Sequence, residues 1–334
     1  MQIKYLIDSI KKNQITIFHL ARLTNRQTVQ LLEYLKWRSN DGKPFCPECG
    51  NTKRIHKISI NGRYRCGEIR CGHTFSVFTK TLLHNHSFQN DGESLAKILY
   101  AIALMALDLT IADIAVLTGL SYQTVFVYFH RLLSTFDTYN REGEKFRGVV
   151  EMDGVHFHRY NTKHKKRRSL VVFLRQRGGN GASRSLPFLG GSRETTSLIE
   201  HIVENYVEQG SEIQTDGHPA YSCLSSDDAY THKYVNHKEE YVNKDGVNNN
   251  QCESINSRAR LSIDKMRRGV KRENLLRYLN RTAHYADTID ACKVRRLNKS
   301  ETISQIIIDY LTRFVTYEAP SDLTKYGVVK RTKK

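Results

Sequence analysis

The chain has 334 residues, of which 52 are Lys or Arg and 34 are Asp or Glu, giving a formal net charge of +18 at pH 7. Such a surplus favours a polyanionic partner, nucleic acid first, because Lys and Arg that neutralise phosphates release condensed counterions. The longest nearly unbroken apolar run, Ile98 to Leu107, falls well short of the roughly 18 residues a spanning helix requires, and 39% hydrophobic with 26% charged residues is globular composition, with length for two or three domains.

In MQIKYLIDSIKKNQ the charges are scattered where a signal peptide would have a clean apolar stretch, so a cytoplasmic protein is expected. Residues 1–44 read as a helical segment: Thr24 and Gln27 form a capping box, and Val29, Leu31, Leu32 and Leu35 recur at helical spacing before SNDGKP breaks the pattern.

Residues 45–80 are Cys-rich, with short alternating stretches that suit small hairpins. Cys46 and Cys49 enclose two residues, Cys66 and Cys71 enclose four, and sixteen residues separate the pairs, the spacing of a zinc ribbon. Each knuckle sets two thiolates on one tight turn, Gly50 and Gly72 follow where backbone must approach the ion, and four soft thiolates suit tetrahedral Zn²⁺. His56 and His73 are alternative ligands, better read as residues of a solvated basic face. Cys223, Cys252 and Cys292 are isolated small apolar side chains.

Residues 88–140 are helical, and LTIADIAVLTGLSYQTVFVYFHRLL has the form of a helix-turn-helix: Thr110 caps a first helix, Gly119 marks the turn and Ser121 caps a second. Ile111, Ile114, Ala115, Leu117, Leu120, Val125 and Phe129 form the expected shared seam. Tyr122, Gln123, Tyr128 and Arg131 are left to face DNA. A helical hairpin serving packing alone has a similar pattern; the charge balance favours DNA.

From 145 to 300 the texture turns to α/β: GVVEMDGVHF, SLVVFLRQR and SLPFLGG are three strands, SLIEHIVENYVEQ a helix and SEIQTDG a fourth strand, followed by a short helix near Ala220, the strand HKYVNH and a long helix from about Asn250 to Met266. Residues 301–334 are a C-terminal helix and basic tail. Asp153 and Asp216 stand at strand ends, and Glu253, 37 residues after Asp216, lies early in a helix that Asn248, Asn249 or Asn250 could cap. Phosphoryl transfer on DNA needs two divalent ions held by oxygens on rigid elements, which three converging carboxylates would supply. Singly, each acid has a plainer reading, as a turn former or a partner for Arg. Glu151 is a rival ligand, since strand alternation points it to the same side as Asp153.

These words and spacings resemble the zinc-ribbon DDE transposases of the ISXO-like insertion-sequence family. LLEYLKW before FCPECG, YRC through CGHTFSV, the helix-turn-helix, VEMDG, TDGHPAY, the His232 and His237 pair before Tyr241, and NQCES all fall in the family's order. The resemblance implies an RNase H-like catalytic domain, a mixed sheet with helices, preceded by the helical segment, ribbon and helix-turn-helix. It implies metal-dependent cleavage and strand transfer with two Mg²⁺ or Mn²⁺ ions, acting on double-stranded DNA at element ends and target. A homodimer or higher oligomer on DNA, and association with the nucleoid, follow from the same likeness. Residue by residue, Asp153 and Asp216 match the two aspartates, Asn250 and Glu253 the Asn and Glu of the third motif, and Arg260 stands where Lys is usual. Three positions depart from the pattern: the second knuckle is two residues longer, Gly154 replaces an acid after the first Asp, and Asn256 replaces an aromatic residue.

Two basic runs flank the acids. Residues 159–184 hold nine Lys or Arg and no acid, and 258–281 hold nine against Asp264 and Glu273. Lys165, Lys166, Arg167, Arg168, Arg267 and Arg268 are thus candidates for the DNA backbone. Ser257 and Arg260 share a helical face with Glu253, and Arg260 could grip a phosphate beside the ions. His156, His158, His232 and His237 read as structural or DNA-facing. Two rivals are a non-catalytic DNA-binding regulator descended from a transposase, which would not need the acids, and an RNase H-like structure-specific nuclease.

Overall fold

A computed structural model of the chain describes residues 3–59, 62–83, 92–136, 144–159, 167–178, 183–235, 246–266 and 270–317. By their contacts these form two units, one from residues 1–135 and 297–334, the other from 136–296. Among the described residues no helix is long and apolar enough to cross a membrane.

The first unit opens with α1 (Ile3–Lys11), α2 (Ile17–Ala21) and α3 (Asn25–Lys36). The capping box before α3 is present: the Gln27 N–H donates to Thr24 Oγ1 at 3.4 Å, and the Thr24 N–H to Gln27 Oε1 at 2.9 Å. Helix α3 buries Val29, Leu31, Leu32 and Leu35, the expected stripe. Next comes an antiparallel sheet of β1 (Ile55–Ser59), β2 (Arg63–Cys66) and β3 (Thr74–Ser76). So small a sheet cannot enclose a core of its own. Its Tyr64 and Phe75 rings stack at 5.7 Å, and both stand edge-on to Trp37, which directly follows α3 and is 1% exposed. Lys36 makes the second tie, donating to the carbonyls of Ser76, Val77 and Thr79, and burial lowers its pKa to about 8.

Helices α4 (Gly92–Ala106), α5 (Ile111–Thr118) and α6 (Tyr122–Ser134) follow. Thr110 and Ser121 cap as expected, their hydroxyls accepting the N–H of Asp113 and Thr124, and Gly119 ends α5 with φ +66°, a left-handed turn that a Cβ would strain. The seam is narrower than expected. Over eight residues α5 buries Ile111, Ile114 and Thr118, and Leu117 lies off that face, 54% exposed. The last helix, α10 (Lys299–Thr316), packs on α3, α4 and α6 and so joins the first unit despite its place in sequence. Its Ser304 hydroxyl accepts the Ile15 N–H at 2.9 Å.

The second unit is a five-stranded mixed sheet. Strands β4 (Val149–Arg159), β5 (Arg167–Gln176) and β6 (Arg184–Leu189) form an antiparallel meander, then α7 (Thr196–Tyr206) leads to β7 (Glu212–Asp216), and a 3₁₀ segment, Pro219–Ser226, leads to β8 (Thr231–Val235). The spatial order is β6-β5-β4-β7-β8, with β7 parallel to β4 and β8 parallel to β7. Even-numbered β4 residues, Val150 and Met152, join Leu170, Val172, Leu174 and α7's Ile199, Ile202 and Val203 in one core. The odd-numbered ones face α8 (Asn250–Asp264), and α9 (Arg272–Val294) packs beside α8 and along β6.

Helix α8 is anchored by a side chain from the sheet. Asn249 at its N-cap makes no side-chain cap bond. Instead the fully buried Glu151 accepts the N–H groups of Gln251 and Cys252, both at 2.9 Å, with one carboxylate oxygen, and the Arg177 Nε at 2.6 Å with the other. Arg177 also donates to the backbone carbonyl and side chain of Asn248. A carboxylate satisfies orphan N–H groups and the positive end of the helix dipole together. Beside it Arg175, 4% exposed, pairs with Asp287 and Asp290 and donates to Gln251 and Ser185, joining β5, β6, α8 and α9. Replacing Glu151 with Gln should lower unfolding free energy by about 2–3 kcal/mol in urea, below the roughly 3–5 kcal/mol for a fully buried pair because Arg177 is a quarter exposed. Amide exchange in the first turn of α8 should accelerate in parallel.

Candidate active site and metal centre

The four ribbon cysteines meet. Their sulfurs all lie within 4.8 Å of one another, with Cys46 to Cys71 and Cys49 to Cys66 both at 3.6 Å, and none is in a disulfide. The first knuckle turns through Gly50, whose N–H donates to the Cys46 carbonyl. The longer second knuckle closes in the same way, the N–H groups of Cys71 and Gly72 both donating to Glu68 O, so the two extra residues become a turn and do not displace the sulfur. Glu68 also accepts from Asn51 at 3.1 Å, linking the knuckles. Against a lowering backbone hydrogen bond from His73, burial and the other thiols push the Cys71 pKa up to about 12. Thiols packed this densely ionise together only beside a cation, and this donor set suits Zn²⁺. His73 instead stacks on Phe75 and is outside the group. Metal analysis should give about one zinc per chain. Removing it should shift the emission of Trp37, the single Trp, to the red as the ribbon loosens. Loss of zinc with unchanged emission would mean that the ribbon does not need the ion.

The acids gather in the second unit. The register that pairs Glu151 with Gln214 brings Asp153 level with Asp216 two residues on; Asp216 ends β7, but Asp153 is not at a strand end as expected, being the fifth of the eleven residues of β4, which runs on to Arg159 in its pairing with β5. Helix α8 approaches on the same face: Asn256 Nδ2 donates to Asp153 Oδ2 at 2.6 Å, and Glu253 lies one turn earlier. Asp216 Oδ1 accepts the His218 N–H at 3.0 Å. A fourth carboxylate, Glu194, lies in the connection between β6 and α7, with Oε2 3.1 Å from His218 Nδ1. Burial first, then the charges of Asp216 and Glu194, and more weakly Glu253, raise the Asp153 pKa from 3.8 to about 7 against the lowering Asn256 hydrogen bond. Glu194 is raised as well, by burial and Asp216, although His218 and Tyr221 hold it down.

Among the described residues, however, the four cysteines are the one set of three or more Cys, His, Asp or Glu ligand atoms mutually within 4.8 Å. The carboxylates influence one another without closing to ligating distance, as like charges do without a cation. The donor set, carboxylate oxygens with the buried Asn256 amide, suits a hard divalent ion.

Other expected residues divide sharply. Arg260, Ser257, Arg168 and Gln123 are exposed. Glu151 is consumed by Arg177 and α8, so it is not a spare ligand. Asn250 lines a cleft of about 220 Å³ between α8 and α9 with Arg175, Arg258 and Lys293, and none of the four acids is in its wall. Arg131 turns inward, donating to Leu82 O at 3.0 Å and covering the Tyr128 ring, and Tyr128 is 2% exposed against Phe314 of α10. Neither is placed to face DNA, because α10 returns over that side of α6. In the first basic run Arg175 and Arg177 are taken by ion pairs, and Arg184 lies 4.5 Å over the Phe146 ring. His232 is structural, bonded through both ring nitrogens to Thr215 and Ser225. Lys165, Lys166, Arg267, Arg268, His237 and Tyr241 lie outside the described residues, as do the side chains of Arg167 and His158. Sequence reasoning missed Glu194, whose one local signal was its place just before the helix cap Thr195.

The folded protein keeps Asp153 protonated up to about pH 7, whereas the unfolded chain ionises it near 3.8, so metal-free stability falls as pH rises through that window. Asp153→Asn should therefore raise the metal-free melting temperature at pH 8, and the gain should fade as pH is lowered toward 4, measured by thermal denaturation in chelator.

Residues 145–287 match the ISXO2-like transposase domain, a span that contains all four acids. A relative from Halobacterium salinarum, described as an uncharacterized protein in transposable element ISH50, is 29% identical over 280 residues, covering 77% of this chain and 89% of its own length. By these matches the chain carries, over residues 145–287, a segment similar to the ISXO2-like transposase domain, and over most of its length it is similar to a protein of an insertion-sequence element.

Proposed function

We propose that this protein is a DDE-type transposase that binds insertion-sequence ends and performs metal-dependent strand cleavage and strand transfer. The observation that carries this reading is that Asp153, inside β4, comes level with Asp216 at the end of the adjacent parallel strand β7, with α8 bringing Glu253 to the same place, inside the span that matches the transposase domain. The sheet supports an RNase H-like fold: an antiparallel meander, with two parallel strands added beyond its first strand.

Asp153, Asp216 and Glu253 are the groups that would hold Mg²⁺ or Mn²⁺. Two such ions, when bound, lower the pKa of an attacking water or DNA 3′-hydroxyl and stabilise the leaving oxygen of an in-line displacement. The chain's own work is positioning. Asn256 fixes one oxygen of Asp153, the His218 N–H fixes one oxygen of Asp216, and Glu151 with Arg177 holds the helix that carries Glu253. Arg260, exposed seven positions after Glu253 on α8, is set to grip a backbone phosphate, and Arg168 offers a second exposed cation on β5. Helices α5 and α6 are read as a helix-turn-helix for duplex DNA, with Gln123 and the 55% exposed Tyr122 outward. Zinc at Cys46, Cys49, Cys66 and Cys71 keeps the ribbon rigid beside it in sequence. A homodimer or larger assembly would bring two element ends together.

With duplexes carrying the element's own ends, and Mg²⁺ or Mn²⁺, wild-type protein should yield nicked and joined products. Asp216→Asn and Glu253→Gln keep side-chain size but remove charge. Each should cut the rate by more than the roughly 10–100-fold typical of changes around a metal site's ligands, while end binding in a gel-shift assay persists. Wild-type cleavage by either variant would overturn the assignment. Binding without cleavage by the wild type would favour the regulator.

A further inference from the structure

We propose that Glu194 is a fourth carboxylate ligand of the divalent-ion site, entering from the α7 face of the sheet through a gap that Gly154 leaves open. The inference rests on reading Asp153, Asp216 and Glu253 as ion-binding groups.

Gly154 lies inside β4 and is not among the positive-φ glycines, so its backbone does not call for glycine. A glycine inside a strand forfeits packing, and there it commonly marks a close approach. The approaching group is identifiable: a Cβ at 154 would overlap Glu194 Oε1 and stand 2.6 Å from its Cδ. Asp153 points toward α8, and Gly154, next along the strand, presents its bare Cα toward α7, whose N-terminal connection carries Glu194. The carboxylate therefore reaches β4 beside Asp153, where any side chain at 154 would block it.

Glu194 is also tied to the loop of the second aspartate. Its Oε2 meets His218 Nδ1, and the His218 N–H is held by Asp216. Among the described residues, neither Asp153 nor Asp216 has a Lys or Arg partner, and Glu194 has His218 alone as a basic partner. An independent observation comes from α8. Asn256, 3% exposed, donates to Asp153 through Nδ2 while its Oδ1 has no hydrogen-bond partner among the described residues. A buried acceptor of this kind is satisfied by a cation or by its coordinated water. Charge arithmetic agrees: two divalent ions carry four positive charges, which four carboxylates balance before DNA arrives and three do not.

The test is Mn²⁺ binding by the full-length, zinc-loaded chain, followed by electron paramagnetic resonance of free Mn²⁺, with no DNA present. Glu194→Gln keeps the shape and hydrogen bonding but removes the charge, and Gly154→Ala displaces the wild-type carboxylate sterically. Both should weaken Mn²⁺ binding about tenfold or more, with the metal-free melting temperature of Glu194→Gln unchanged or raised. Asp153→Asn is the reference. If it loses Mn²⁺ while Glu194→Gln binds like wild type, Glu194 is only a partner for His218 and the proposal fails, the three-acid site standing. If Asp153→Asn also binds like wild type, the ion-site reading fails with it. Should Glu194→Gln not fold, Glu194→Asp, with its charge kept but its reach one methylene shorter, is judged by the same criterion.

Discussion

Glu151 governs the acidic end of the sheet because it does two things with one buried carboxylate. It supplies the acceptor that α8 lacks at its own N-terminus, and it neutralises Arg177, which in turn grips the backbone just ahead of the helix. Without that anchor, the local support of the helix start would be reduced to Asn248 Oδ1 accepting the Asn250 N–H at 3.3 Å, since Asn249 makes no cap bond. Once α8 is docked, Glu253 and Asn256 are delivered over Asp153 as a geometric consequence. The carboxylates two residues apart on β4 thus have opposite situations. Glu151 is fully compensated by a guanidinium and a helix terminus, whereas Asp153 sits among other acids with the Asn256 amide as its hydrogen-bond donor. Compensation makes the first structural, and its lack makes the second receptive to a cation.

The strong positive charge of the chain must be read with that distinction in mind. Arg175 and Arg177 are drawn into the sheet by Asp287, Asp290 and Glu151, Arg184 covers Phe146, and Lys36 is spent on three backbone carbonyls. Residues such as these contribute to net charge but little to a surface field for DNA. Arg260 and Arg168, by contrast, remain exposed and belong to the same unit as the acids. A buried cation with several fixed partners holds elements together, and an exposed one is free to meet phosphate.

The ribbon follows another economy. It has too little apolar surface for an independent core, so it borrows one from the helix before it through Trp37, is tied to that helix again by Lys36, and gathers its four sulfurs at the knuckles. The helical hairpin of α5 and α6 likewise relies on a distant segment. Helix α10 covers the side of α6 carrying Tyr128, which leaves the start of α6, with Tyr122 and Gln123, facing outward.

What the sequence by itself determined is local. The caps at Thr24, Thr110 and Ser121, the turn at Gly119, the cysteine knuckles and the apolar strands that carry Asp153 and Asp216 were legible because each depends on residues a few positions apart, although β4 runs on past Asp153 to Arg159. Tertiary structure alone decided which side of α6 is covered, since α10 arrives from more than 160 positions away, and it assigned Glu151 to a helix terminus 100 positions distant. It also brought Glu194 to Gly154, a meeting that no periodicity encodes. Charge, size and alternation say what a side chain is able to do. Which counterion or neighbour reaches it is settled only when strands and helices remote in sequence pack, and at this site that difference separates an inert buried carboxylate from one left open to a metal ion.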